Sequence, residues 1–164
     1  MFRFILLVLN KGFNLLFYLI LLFLCCMQPI LDLILLVDDD DTTNHVNKRL
    51  LTRLNVAREV KVMTNGEEAL LYLQRITNGT SGPDDVNPDL IFLDIKMPIM
   101  DGFSFLEAFE NADTQDKHKV VILMLTSSAS FYDLERLKQF KKVKKHISKA
   151  LTEGDVRELL KEYF

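Results

Sequence analysis

Leu90-Ile91-Phe92-Leu93-Asp94-Ile95-Lys96-Met97-Pro98-Ile99-Met100-Asp101-Gly102 decides the fold class of this 164-residue chain. Four apolar residues predict a short buried strand, a carboxylate ends it, and Pro98 and Gly102 stop the strand and turn the chain. A charge is costly in an apolar interior, so Asp94 is expected at the strand's exit, where water or a metal ion reaches it.

Short apolar runs alternate with helical patterns on both sides of this stretch. Upstream, Leu33 to Val37 predicts a strand stopped by Asp38-Asp39-Asp40-Asp41. Val46, Leu50 and Leu54 recur at helical spacing, with Asp41 as the expected cap. Glu59 to Met63 alternates as a strand with Val60 facing inward, and Asn65 caps a helix carrying Leu70, Leu73 and Ile76. Residues 78–88, rich in Gly, Asn, Asp and Pro, read as a loop. The strand holding Leu90 to Leu93 is expected to begin at Asp89, and a short helix to run from Phe103 to Glu110. Val120 to Leu125 is a fully apolar strand, and Ser130 with Asp133 opens a helix carrying Leu134 and Leu137. Val143 to Ser148 is more polar and suits a sheet edge. Thr152 with Asp155 starts a last helix whose Val156, Leu159, Leu160 and Tyr163 share one face. Five βα units of this kind predict an α/β fold, a doubly wound five-stranded parallel sheet with helices on both faces.

The formal net charge is -3, and all 23 acidic residues follow position 26. An acidic domain argues against nucleic-acid binding as the main function. The two cysteines, Cys25 and Cys26, are neighbours in an apolar run, so the remainder has neither a disulfide framework nor a Cys-based zinc site. His45, His118 and His146 make no metal-ligand spacing, and no glycine-rich phosphate loop is present.

Residues 1–26 differ in kind from the rest. Their uninterrupted apolar part is shorter than the roughly 20 residues needed to span a bilayer, and no small-x-small cleavage site follows it. Arg3 and Lys11 both precede the apolar run, an orientation that would export the acidic region that follows. The expectation is a mis-assigned start, with translation beginning at Met27, residues 27–164 forming one cytoplasmic domain, and a membrane anchor as the alternative for residues 1–26.

In open α/β sheets, ligands bind beyond the carboxyl ends of the strands. The residues expected there are Asp38 and Asp39, then Asp94, Thr126 and Lys149. Three crowded carboxylates at ~5 Å and an effective dielectric of ~20 repel by about 3 kcal/mol per pair. A hard divalent cation with oxygen ligands removes that cost, and Mg²⁺ is the usual choice. Lys149 and the Thr126 hydroxyl could hold the oxygens of a phosphoryl group on Asp94, the arrangement that phosphoryl transfer requires.

Leu-Leu-Val-Asp38-Asp39, Asp94 with Met-Pro98 and Met-Asp-Gly102, Leu-Thr126-Ser127 and Ser-Lys149 together resemble a bacterial response-regulator receiver domain of the single-domain chemotaxis type. The resemblance covers Ile30 to Phe164. It implies a flavodoxin-like strand order 2-1-3-4-5. It implies Asp94 as the phosphoacceptor, and Mg²⁺ held by Asp38, Asp39, Asp94 and the backbone carbonyl of Lys96. It implies Thr126 and Lys149 as the switch residues that bind the phosphoryl group. It implies a stand-alone response regulator that takes its phosphoryl group from a histidine kinase or histidine phosphotransfer protein. Such a protein signals to an unknown downstream protein and is not a classical enzyme.

Two positions depart from the family pattern. Ala150 follows Lys149 where the family has a proline after a cis bond; a cis bond before Ala costs ~2.5–4 kcal/mol, so a trans bond is expected. His146 occupies the position of the family's aromatic switch residue and reads as an edge-strand side chain. Lys96 and Ser128, each two residues beyond a site residue, are expected to flank the phosphoryl group and tune its lifetime. Two other functions compete with this reading. One is a receiver-like interaction module independent of phosphorylation, which Ala150 favours. The other is a Mg²⁺-dependent phosphohydrolase with an Asp nucleophile, which Lys96 disfavours because such sites need an acid there.

Overall fold

The computed structural model describes residues 29–80, 82, 85–112, 120–127 and 130–164. The two readings of residues 1–26 therefore lie outside the described residues, as does Ser128. Among the described residues, no helix is long and apolar enough to cross a membrane.

Among the described residues, five strands and five helices alternate. They are β1 (Leu31–Val37), α1 (Asp41–Arg53), β2 (Ala57–Met63), α2 (Gly66–Thr77), β3 (Leu90–Leu93), α3 (Gly102–Asn111), β4 (Val121–Thr126), α4 (Phe131–Leu137), β5 (Val143–Ser148) and α5 (Glu153–Tyr163). The strands form one sheet in the order β2-β1-β3-β4-β5. All four pairings are parallel. This is the expected doubly wound order, in which β1 lies between β2 and β3 and the winding reverses. β1 and β2 each begin two residues before the expected position, because ladder pairing continues to Leu31 opposite Ala57. β4 extends through Thr126, which pairs with Ser148.

Alternation along the buried strands divides the core between the two faces. Leu33, Leu35 and Val37 of β1 join Ile91 and Leu93 of β3 on the face covered by α2 and α3. Phe105 and Phe109 stack there at 5.7 Å between ring centroids. Ile34 and Leu36 join Phe92, Leu123 and Leu125 on the other face, under α1 and α5, where Val156 and Leu159 are buried. The predicted caps form at three helices: Asn65 for α2, Ser130 for α4 and Thr152 for α5, the last two as reciprocal capping boxes.

Two expectations for α1 are corrected. Its cap is Asp40, whose carboxylate accepts from the amides of Thr42 and Thr43, and Asp41 is already helical. Asp40 has the extended backbone that aims a side chain back at the first turn. Val46 is exposed, and the buried face of the helix is Asn44, Asn47 and Leu51. Leu50 and Leu54 pack against the core as expected, and the asparagines join Leu51 on the buried face because both have partners in neighbouring loops.

Candidate functional site

The end of each inner strand is tied to its neighbour, and these ties place the site residues in a row. The Asp38 amide donates to the Met63 carbonyl at 3.0 Å, the Asp94 amide to the Val37 carbonyl at 2.9 Å, and the Lys149 amide to the Thr126 carbonyl at 3.1 Å. The sheet therefore brings together groups from the ends of β1, β3, β4 and β5.

Asp38, Asp39 and Asp94 each offer a carboxylate oxygen within 4.8 Å of the others. Asp38 and Asp94 are buried, only 3% and 5% exposed, and Asp39 is exposed to solvent. Asp38 is fixed by its own loop, since its Oδ1 accepts from the Asp40 amide at 3.0 Å. Its backbone carbonyl accepts from Asn44 Nδ2 at 2.7 Å. Lys149 reaches over both buried carboxylates, with Nζ 2.7 Å from Asp38 Oδ2 and 3.0 Å from Asp94 Oδ2. Three negative groups face one ammonium, so the ionised cluster carries a net charge of -2. An all-oxygen donor set with that charge, open to solvent at Asp39, fits a hard divalent cation such as Mg²⁺.

Burial pushes the Asp94 carboxyl above its ordinary range; Lys149 opposes the rise, and the Asp38 charge adds to it. Burial alone would lower the Lys149 ammonium, but hydrogen bonds and charge from Asp38 and Asp94 more than offset it, and the net shift is upward. The two upward shifts have one setting: Lys149 is the counterion of a crowded acidic pair in a largely dry place.

The turn after Asp94 is built by close approach. Gly102 donates to the Ile95 carbonyl at 2.9 Å. A Cβ on Gly102 would collide with the Asp94 carbonyl oxygen. Asp101 caps α3 by accepting from the Ser104 amide at 2.7 Å. Ile99 takes up the reversal at φ 68°. It is 78% exposed.

The remaining predicted positions lie at varying distances from this centre. Thr126 is buried at the last position of β4. Lys96 is exposed and lines a depression with Asp39, Asp101, Asp133 and Arg136. His146 is exposed on the edge strand β5 and pairs in register with Met124, two residues short of Thr126. The Lys149-Ala150 peptide bond is cis, which corrects the expected trans bond. The chain is held on both sides of it, by the Lys149 amide on Thr126 and the Leu151 amide on Asn47 Oδ1 at 3.1 Å. Asn44 and Asn47 are the site-supporting residues that sequence reasoning missed; the available signal was their three-residue spacing on a helix that starts at the acidic loop.

The residues from 34 to 161 match the family model described as the response regulator receiver domain. Among curated proteins, the chain is 31% identical over 123 residues to the hybrid signal transduction histidine kinase L of Dictyostelium discoideum. That alignment covers 73% of this chain and 7% of the kinase, so the chain spans a small part of that relative. A two-component response regulator from Cytophaga hutchinsonii is similar in structure, with TM-score 0.71 and 26% identity over 81% of this chain and 96% of that one. The receiver domain of a sensor histidine kinase from Pseudomonas aeruginosa, with a magnesium ion coordinated in its active-site cleft, shares the fold with TM-score 0.64. It is 23% identical over 80% of this chain and 96% of that one. With the family model spanning most of its length and the acidic cluster at the predicted strand ends, this chain belongs to the response regulator receiver domain family.

Proposed function

We propose that the chain is a receiver domain that accepts a phosphoryl group on Asp94 and signals through altered protein–protein binding. Receiver domains are signalling domains that work with histidine kinases or histidine phosphotransfer proteins, and such a protein is the proposed donor. The observation that carries the reading is the placement of Lys149 against both Asp38 and Asp94 beside the exposed Asp39. Asp38, Asp39 and Asp94, with the Lys96 carbonyl, would hold Mg²⁺. When bound, the ion would neutralise the carboxylates and the phosphoryl oxygens that approach them.

The roles of the chain's own residues follow from their positions. An Asp94 oxygen forms the new O–P bond as the donor's N–P bond breaks, and the donor imidazole leaves with the electron pair. Lys149 sits within reach of Asp94 in the unmodified state, so its ammonium needs little movement to meet an added phosphoryl oxygen. Thr126, at the end of the adjacent strand, supplies a hydroxyl for a second oxygen. Lys96, exposed beside Asp39, faces the solvent route to the acceptor and tunes the lifetime of the product; Ser128 is given the same role from its spacing. A rearrangement follows only where the phosphoryl group interacts better with one state of the β4–α4 and β5–α5 segments than with the other.

Incubation of the purified protein with acetyl phosphate and Mg²⁺, followed by mass spectrometry, tests the proposal. The expected result is a phosphoryl adduct that Asp94→Asn abolishes. Absence of any adduct, with no phosphate released, would support a module that binds partners without phosphorylation.

A further inference from the structure

Two buried amides next to the site have no part in the scheme above. Asn44 and Asn47 lie three residues apart on one face of α1, 5% and 1% exposed. An amide in an apolar interior is costly unless hydrogen-bonded, so its partners show what it holds. Asn44 Nδ2 donates to the Asp38 carbonyl at 2.7 Å. Asn47 Oδ1 accepts from the Leu151 amide at 3.1 Å, a bond between residues 104 apart in sequence. Leu151 is two residues beyond Lys149. On the other side, the Lys149 amide is bonded to the Thr126 carbonyl at 3.1 Å. The segment that aims Lys149 is therefore anchored at two backbone points, one on β4 and the other on Asn47.

The Lys149 ammonium and the Asp38 carboxylate meet at 2.7 Å, and one face of one helix holds the backbone behind each of them. A leucine at position 47 would leave the Leu151 amide without its acceptor.

We propose that Asn47 is a positioning residue for Lys149. Its side-chain oxygen fixes the β5–α5 loop so that the ammonium meets the phosphoryl group on Asp94, while Asn44 fixes the Asp38 loop from the same helix. The inference rests on the receiver reading given above.

A double-mutant cycle with the full chain tests it, using beryllofluoride as the phosphoryl mimic and Mg²⁺ as the metal. Asn47→Leu should weaken beryllofluoride binding about tenfold, as expected when a buried acceptor is deleted and its partner freed. Asn47→Asp, which keeps an oxygen acceptor, should recover most of that loss. In a Lys149→Met background, Asn47→Leu should change the affinity by less than about twofold, because two residues acting through one contact are not additive. Equal losses in both backgrounds would overturn the proposal in favour of general support of the fold, and so would full affinity in Asn47→Leu alone. Melting curves for each variant exclude loss of folding as the cause. Failure of the native protein to bind beryllofluoride with Mg²⁺ would instead refute the receiver reading itself.

Discussion

Replacing Lys149 by Met keeps most of the stem and removes the ammonium that contacts Asp38 at 2.7 Å and Asp94 at 3.0 Å. Two effects of opposite sign follow. Without metal, the buried carboxylates lose their counterion, and breaking a buried pair costs about 3–5 kcal/mol. With metal, the cluster that receives the ion changes from a net charge of -2 to -3. A unit charge about 5 Å from a divalent ion is worth about 1.7 kcal/mol even at the dielectric of water, and more in a partly dry site. Mg²⁺ should therefore bind Lys149→Met at least about tenfold more tightly than it binds the native protein. At saturating Mg²⁺ that difference adds about 1.4 kcal/mol of stabilisation, so the gain in Tm on adding Mg²⁺ should be larger by about 3–6 °C for a domain of this size. Calorimetric titration of metal-stripped protein and melts with and without Mg²⁺ give both quantities. Equal or weaker Mg²⁺ binding by Lys149→Met would refute the placement of the metal among Asp38, Asp39 and Asp94.

Three further outcomes can be checked. Burial holds the Asp94 carboxyl above its ordinary range, so the metal-free folded state binds more protons here than the unfolded chain. Stability is then lost as pH rises from the ordinary carboxylate value through the raised one. Urea unfolding should show metal-free Asp94→Asn gaining on the native protein across that window; a difference independent of pH would count against burial as the cause. Gly102→Ala places a Cβ against the Asp94 carbonyl oxygen, and should cost about 1–3 kcal/mol through backbone displacement while weakening Mg²⁺ binding. Retention of both stability and Mg²⁺ affinity would show that the turn can open without moving Asp94. The buried Tyr72 hydroxyl donates to the Val86 carbonyl at 2.8 Å and accepts from its amide at 3.2 Å. Tyr72→Phe should lower stability by about 1 kcal/mol and speed hydrogen exchange at Val86, and unchanged exchange there would show that the loop is held by other contacts.

Features fixed by local chemistry were readable from residues alone. β3 and β4 are unbroken apolar runs of the kind that only a strand covered on both faces requires. The boxes at Ser130 and Thr152 depend on residues three apart, so spacing reveals them. The strand-end positions of Asp94, Asp38 and Asp39 were legible because each follows an apolar run, whereas Lys149 follows the more polar edge strand and was placed by its position at that strand's end. Four consecutive aspartates offered no contrast by which to choose the cap of α1, and the extended backbone at Asp40 decides it. The face of α1 was misread for a different reason. Apolar periodicity ranks residues by type, and an asparagine counts as polar wherever its partner lies. Asn47 is buried because the amide that satisfies it arrives from Leu151, 104 residues away.

The same long-range bonds indicate how a change at Asp94 would travel in this chain. His146 occupies the expected relay position, but it is an exposed edge residue in register with Met124. Thr126 is opposite Ser148 in the ladder, and its carbonyl holds the amide of Lys149. The two groups proposed to hold the phosphoryl oxygens thus belong to one backbone-bonded pair. A displacement of Thr126 towards the phosphoryl group must either carry the Lys149 amide with it or break that bond. Coupling between the end of β4 and the end of β5 can therefore run through this backbone pair without an aromatic side chain at position 146. It requires that the Lys149 segment be held at its far end, and in this fold Asn47 provides that hold.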